Sequence, residues 1–281
     1  MGKLFFSLVF VVSMFCSQTM AFAGVGDFYS VDKVSVSASS TSSSEARKLA
    51  LQNARGKVFG IVLSRILLPE DVGQVLIPDA YNLEKFVKSL RINGEKTTST
   101  AYSADVNMVL DEKMVNAYLA NQGFVFLREK LPMTMLVLRG VNSFDFGLSD
   151  LMGENYNVVP YMVAYSHAFD FDVASAGLSK FRAKFPDVNN VVVIDAKKDG
   201  GSGYKIHLYD KMFGMNENFS VTNNNFADVV LKKLNTAYKR AMIVNGGVDG
   251  ESSDGIIVVL PIYSMQDWIA VQDKLLAGFK F

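Results

Sequence analysis

Residues 34–66 read VSVSASSTSSSEARKLALQNARGKVFGIVLSRI, and this stretch decides the fold class. Val34, Val36 and Ala38 alternate with Ser35 and Ser37, the period of a strand with one buried face. The polar run Ser39–Ser44 leads into Ser42-x-x-Glu45, a capping box whose hydroxyl and carboxylate each satisfy a free backbone N–H at a helix start. Ala46, Leu49, Ala50, Ala54, Val58, Ile61, Val62 and Ile66 then recur at helical spacing, predicting one long helix that stops before Pro69. Gly56 and Gly60 weaken it by up to about 1 kcal/mol each relative to alanine, and are expected to let a strand approach closely. A strand feeding a helix that covers it is the unit of a layered helix-on-sheet protein.

Outward from this unit, Asp79 is expected to cap a short helix burying Leu83, Phe86, Val87 and Leu90. Arg91–Lys96 and Thr100–Leu110 read as a hairpin, its second strand alternating Tyr102, Ala104, Val106, Met108 and Leu110 against polar neighbours. Asp111 caps a helix with Met114, Val115, Tyr118 and Leu119 inward, Gly123 ends it, and Phe124–Leu127 reads as a closing strand. Met135–Leu138 and Val158–Tyr165 read as strands, and Asp172–Phe185 as an amphipathic helix bearing Val173, Leu178 and Phe181. Val191–Ile194 is a continuous apolar run, the mark of a central strand covered on both faces. The turn Asp199–Gly203 leads into the alternating strand Tyr204, Ile206, Leu208, and a helix starting near Asn224 carries Phe226, Val230, Leu234, Ala237 and Ala241.

Asn245–Gly255 (NGGVDGESSDG) has the composition of a linker or long hairpin turn. Beyond it, Ile256–Ile262 reads as a strand and Ser264 caps a helix through Leu276. Phe279–Phe281 then opens an extended segment at which the chain stops, the pattern of a truncated or short-pairing unit. The expected fold is α+β: two or three small layered helix-on-sheet units with mixed, largely antiparallel sheets. They divide as a 24–131 domain, a 132–244 domain, a 245–255 linker and an incomplete β-α unit over 256–281.

The N-terminus, MGKLFFSLVFVVSMFCSQTMAFAG, has a positive Lys3, an apolar run from Leu4 to Cys16 and a small-x-small Ala21-Phe22-Ala23. This is a secretory signal peptide over 1–23, cut to leave Gly24 as the new N-terminus. The apolar run is short of the roughly 20 residues of a membrane span. Lipid attachment at Cys16 would want small residues where Met14 and Phe15 stand. With Lys3 removed, 27 basic residues face 28 acidic ones, so the mature chain has no electrostatic reason to bind nucleic acid or an anionic membrane. The 21 Phe and 11 Tyr argue for a packed core rather than disorder. Cys16 is the only cysteine, so the mature chain has no disulfide, thiol nucleophile or thiolate ligand, which suits a bacterial periplasm.

The Val34-x-Val36-x-Ala38 strand with Glu45-Ala46-Arg47 resembles an uncharacterised exported proteobacterial family built on domain of unknown function 2066. Gly94-Glu95 with Tyr102-x-Ala104-x-Val106, the Val115/Leu119/Gly123 helix end and Asp267-Trp268 extend the resemblance over most of the mature chain. It implies an envelope location, brings no catalytic residues, and its members run longer at the C-terminus. The second unit is also similar in outline to small periplasmic modules of envelope assembly proteins.

His167, Asp170 and Asp172 in SHAFDFD form the densest titratable cluster, with Asp195 the further carboxylate a fold could add. In a strand His167 points away from Asp170, so the plainer reading is a strand end running into a helix capped by Asp172. His207 lies on the polar side of its strand, and two distant histidines make no ligand set. Asp249-x-Glu251-x-x-Asp254-Gly255 lacks the alternating ligands and closing glutamate of a calcium loop. Lys232, Lys233, Lys239 and Arg240 read as a solvated basic face, and Trp268 as a core or interface anchor. No cofactor, metal or nucleic acid is expected. The expectation is a non-catalytic periplasmic module that binds another envelope protein. Its alternatives are a small-ligand or glycan carrier, and an envelope hydrolase using His167, Asp170 and Asp195. Replacing Ala21 and Ala23 by leucine is expected to leave a precursor about 23 residues longer on an immunoblot; unchanged maturation would refute the cut.

Overall fold

In the computed structural model, which describes residues 27–140, 147–148, 158–201, 203–210 and 212–246, the deciding stretch folds as β1 (Ser30–Ser39) and α1 (Ser43–Ile66). The Ser42 hydroxyl accepts the Glu45 backbone N–H at 3.3 Å, as a helix start at this point requires. Ala46, Ala50, Ala54, Val58, Val62 and Ile66 form the buried stripe. A stripe of period four drifts around an α-helix by about 40° per step. It therefore drifts away from Leu49, which is exposed against expectation, and toward Phe59 and Leu63, which are buried. A Cβ on Gly56 or Gly60 would meet nothing within 4 Å, so the close strand approach expected there does not occur.

The chain continues through α2 (Pro69–Val72), α3 (Ala80–Lys85), β2 (Val87–Thr97), β3 (Ala101–Leu110) and α4 (Glu112–Asn121). Asp79 caps α3 and Asp111 caps α4, accepting N–H groups at 2.8 and 3.0 Å. β3 buries Tyr102, Ala104, Val106, Met108 and Leu110 as its alternation predicts. β2 is longer than expected: pairing with β3 starts at Val87, so Val87 and Leu90 are strand residues and Leu90 is exposed. Met114 on α4 is also exposed, one position off the Val115–Leu119 contact. Phe124–Leu127 joins no sheet. The Leu127 N–H donates instead to the Ile66 carbonyl at 2.8 Å, satisfying the end of α1.

A second sheet follows: β4 (Thr134–Arg139), β5 (Tyr161–Tyr165), β6 (Asn190–Lys198), β7 (Gly203–Asp210) and β8 (Asn216–Thr222), with α5 (Leu178–Lys184) and α6 (Phe226–Gly246). The fold is α+β, with an antiparallel sheet β1-β3-β2 and a mixed sheet β5-β4-β6-β7-β8. β4 runs parallel to β5 and β6, while β6, β7 and β8 are antiparallel. The edge strand β8 (NENFSVT) went unread because it is polar at most positions. α5 is shorter than predicted. Asp172 does not cap it but closes its own turn, accepting the Ala174 N–H at 3.1 Å and the Ser175 hydroxyl at 2.8 Å.

The described residues up to Gly246 form one compact unit whose main core runs without a break from α1 and the first sheet to one face of the second sheet and α6. The residues read for the export signal and its cut (Cys16, Ala21, Ala23, Gly24), the linker beyond Gly246, Asp249–Gly255 and Trp268 lie outside the described residues. The basic face of α6 is solvated only in part. Lys232, Lys233 and Arg240 pair with Asp228, Glu217 and Glu70, whereas Lys239 is turned inward and buried. Its ammonium donates to the carbonyls of Ser64 at 2.8 Å and Leu67 at 2.7 Å. From the same turn of α1, the buried Arg65 guanidinium donates to the carbonyls of Phe28 at 2.9 Å and Ser30 at 2.6 Å.

Two predictions follow from these buried cations. Burial pushes Lys239 down from 10.5 to about 8, against the opposing pull of the Glu70 charge. Between those values the unfolded chain binds more protons than the folded one, so stability rises with pH. Chemical denaturation should show a gain of roughly 1–2 kcal/mol from pH 8 to 9.5; the same gain in Lys239→Met would assign it elsewhere. Arg65→Met strands several carbonyls and is expected to lower stability by about 2–4 kcal/mol, measured in the same way; a loss within about 0.5 kcal/mol would remove Arg65 from the core's support.

Candidate functional site

On the face of the second sheet opposite α6, Met135, Val137, Val191 and Val193 are covered by Val173 and by Phe181 of α5. Among the described residues the cover ends there, α5 having only seven residues. One row further on, Arg139, Asp195, His207 and Asn218 stand directly opposite one another across β4, β6, β7 and β8. The next row is Lys197, Lys205 and Ser220. Residues opposite one another in register share a face, so both rows line one surface. They bound a cleft of about 590 Å³. It lies at the carboxyl ends of the parallel strands β4 and β6, where sheets of this kind commonly place ligands.

Gly140 forms one wall of the cleft with φ at +80°, and a Cβ on it would lie 2.5 Å from the Ala196 carbonyl oxygen. Only glycine suits both the conformation and the approach. Arg139 grips Asp195 with two N–H groups, Nε to Oδ1 and Nη2 to Oδ2, the latter at 2.6 Å. That hydrogen bonding holds the guanidinium above its ordinary value. Asp172 lies 3.9 Å from the same guanidinium, so the structure brings it toward Asp195 through Arg139.

His207 Nδ1 is 3.9 Å from Asp195, its Nε2 is 2.8 Å from Asn216 Oδ1, and its ring lies tilted 5.0 Å from that of Tyr209. Burial, and secondarily the Asp195 charge, pushes the Tyr209 hydroxyl up. Lys205 pairs with Asp199 at 3.0 Å, while Lys197 is exposed.

His167 lies elsewhere, in a single 3-10 turn (Ser166–Ala168) after β5, exposed and stacked on Tyr165 at 5.5 Å. Asp170 is exposed in the following loop. No hydrogen bond or ion pair joins His167, Asp170 and Asp195 among the described residues; the partners of Asp195 are Arg139 and His207. Arg139 was the residue missed. Its signal is a charge ending the buried run Met135–Leu138, matched by Asp195 ending the run Val191–Ile194. Chemically, the Asp195 carboxylate has both oxygens taken up as acceptors by one guanidinium. The arrangement is suited to holding a polar ligand. Among the described residues no three His, Cys, Asp or Glu side chains converge on a point where they could hold a metal.

A second set of exposed apolar side chains lies just before and at the start of α3. Leu76, Ile77 and Tyr81 are 73%, 55% and 73% exposed. The loop that carries Leu76 and Ile77 into α3, where Tyr81 stands, is held by the Tyr118 hydroxyl donating to the Leu76 carbonyl at 2.5 Å, and by the Leu76 N–H donating to Gln122 at 2.9 Å. Among the described residues no helix is long and apolar enough to cross a membrane.

No protein-family model matches the chain, and no curated protein matches it. Among solved structures, a formyltetrahydrofolate deformylase from Pseudomonas putida is similar at a TM-score of 0.16 and 10% identity, over 74% of this chain and 92% of that one. A likeness that slight carries no argument about fold or activity.

Proposed function

We propose that this chain is an exported, non-catalytic binding module of a Gram-negative cell envelope. The cleft on the second sheet is its ligand site, and the Leu76–Ile77–Tyr81 surface is its contact with another envelope protein. One observation carries the reading. An open cleft of about 590 Å³ has its Asp195 carboxylate held by Arg139 and its His207 ring bonded to the Asn216 amide. That volume falls within the roughly 300–1,000 Å³ of small-molecule sites. The N-terminal export pattern and the cysteine-free mature sequence support the periplasmic location. Exposed apolar side chains on a pinned loop support a protein contact.

The approach of His207 to Asp195 at 3.9 Å supports a second reading, an envelope hydrolase using that pair rather than His167. Photo-crosslinking separates the two. A photoreactive phenylalanine analogue at Asn218, in the cleft, is expected to give a discrete adduct in living cells, and one at Ser179, on the solvent side of α5, none. Adducts at neither position, or equally at both, would overturn the ligand site. A bound molecule recovered in cleaved form from the wild type but intact from His207→Ala would establish the hydrolase.

A further inference from the structure

Lys197 and Lys205 face each other directly across β6 and β7. Like charges in this position repel and destabilise a sheet, yet both line the cleft. Lys205 is steadied by Asp199, which is not among the cleft's lining residues, while no carboxylate lies within ion-pair distance of Lys197 among the described residues. Deeper in the cleft, the one acidic lining residue, Asp195, is already neutralised by Arg139. Among the described residues the lining charge left without an ion pair is therefore the Lys197 ammonium, with Lys205, shared with Asp199, directly opposite it and Ser220 and Asn218, directly opposite Lys205 and His207, as neutral hydrogen-bonding neighbours.

Resting on the reading of this cleft as a ligand site, we propose that its ligand is an oxyanion-bearing small molecule, a carboxylate or a phosphate ester. Its anionic group sits between Lys197 and Lys205 with Ser220 as hydroxyl donor, and the rest of the molecule lies toward His207 and Asn218. The ligand's anionic group bridges the two ammonium groups, so binding relieves the repulsion between them, which Asp199 offsets on the Lys205 side alone. Arg139 takes no part in holding the anion. Both fork positions that face Asp195 are in use, and its role is to keep Asp195 from repelling the ligand.

The test is an amide-resonance titration of the mature chain at constant ionic strength with inorganic phosphate, glucuronate and glucose. Phosphate or glucuronate is expected to shift the Lys197, Lys205 and Ser220 amides saturably, and glucose to leave them unmoved. Saturation by phosphate alone identifies a phosphate ester, and by glucuronate alone a carboxylate. Lys197→Gln is expected to weaken the effective anion about tenfold, with Lys96→Gln on the first sheet as an unaffected control. Saturable shifts with glucose equal to those with the anions would overturn the oxyanion inference while leaving the ligand site standing. No response to any of the three, with an adduct still formed at Asn218, would do the same. No response and no adduct would remove both.

Discussion

The carboxyl end of α1 is the point on which the two sheets depend for their joint. A helix ends with carbonyls that have no partner within it, and burying them bare is costly. Here the carbonyls of Ser64 and Leu67 receive the Lys239 ammonium from α6, and that of Ile66 receives the Leu127 N–H of the chain leaving α4. From the same turn Arg65 reaches the other way, to the carbonyls of the segment entering β1. Two buried cations are thus held by backbone dipoles. The negative end of a helix dipole favours the ammonium placed there.

With that joint in place, the second sheet has unequal faces. One is sealed against the main core by α6, whose Asn235 also accepts the Val158 and Val159 N–H groups at 2.9 and 3.2 Å on the way into β5. Among the described residues the other carries only the small cluster under α5, and a helix this short does not reach the last rows of β4 and β6 or the first of β7. The cleft is what that short cover leaves open among the described residues. Polar residues line it because the alternation of each strand turns Ile206 and Leu208 to the core and Lys205 and His207 away from it.

Where a residue's fate depends on its near neighbours in the chain, the sequence was legible. The alternation of β3, the alanine stripe of α1, the caps at Ser42, Asp79 and Asp111 and the doubly covered Val191–Ile194 all read directly. Where it depends on a partner far along the chain, spacing misled or was silent. Lys239 has the look of its solvated neighbours, and nothing local announces that the α1 carbonyls lie against it. Asp195 was singled out, but its partner Arg139 lies 56 residues earlier and is brought opposite only by the β4–β6 register. Asp172 was placed at a helix start by its proximity to apolar positions, whereas its own turn with Ser175 uses the carboxylate locally and delays the helix. Leu49 failed for a subtler reason, since helical spacing names an arc and the drift of the stripe chooses which side of that arc is buried.

The order β1-β3-β2 bears on how the chain assembles as it is made, N-terminus first. β1 takes its ladder from β3, pairing Ser30 with Val109 and Ser39 with Ala101, and has no bonding to β2. Every backbone hydrogen bond that holds β1 in the sheet must wait until β2 has passed and β3 has emerged. During that interval only α1, which follows β1 directly, is available to shield its apolar side. The first strand to be synthesised is thus among the last of its sheet to be locked, and vectorial emergence leaves the β2–β3 hairpin as the template onto which it closes.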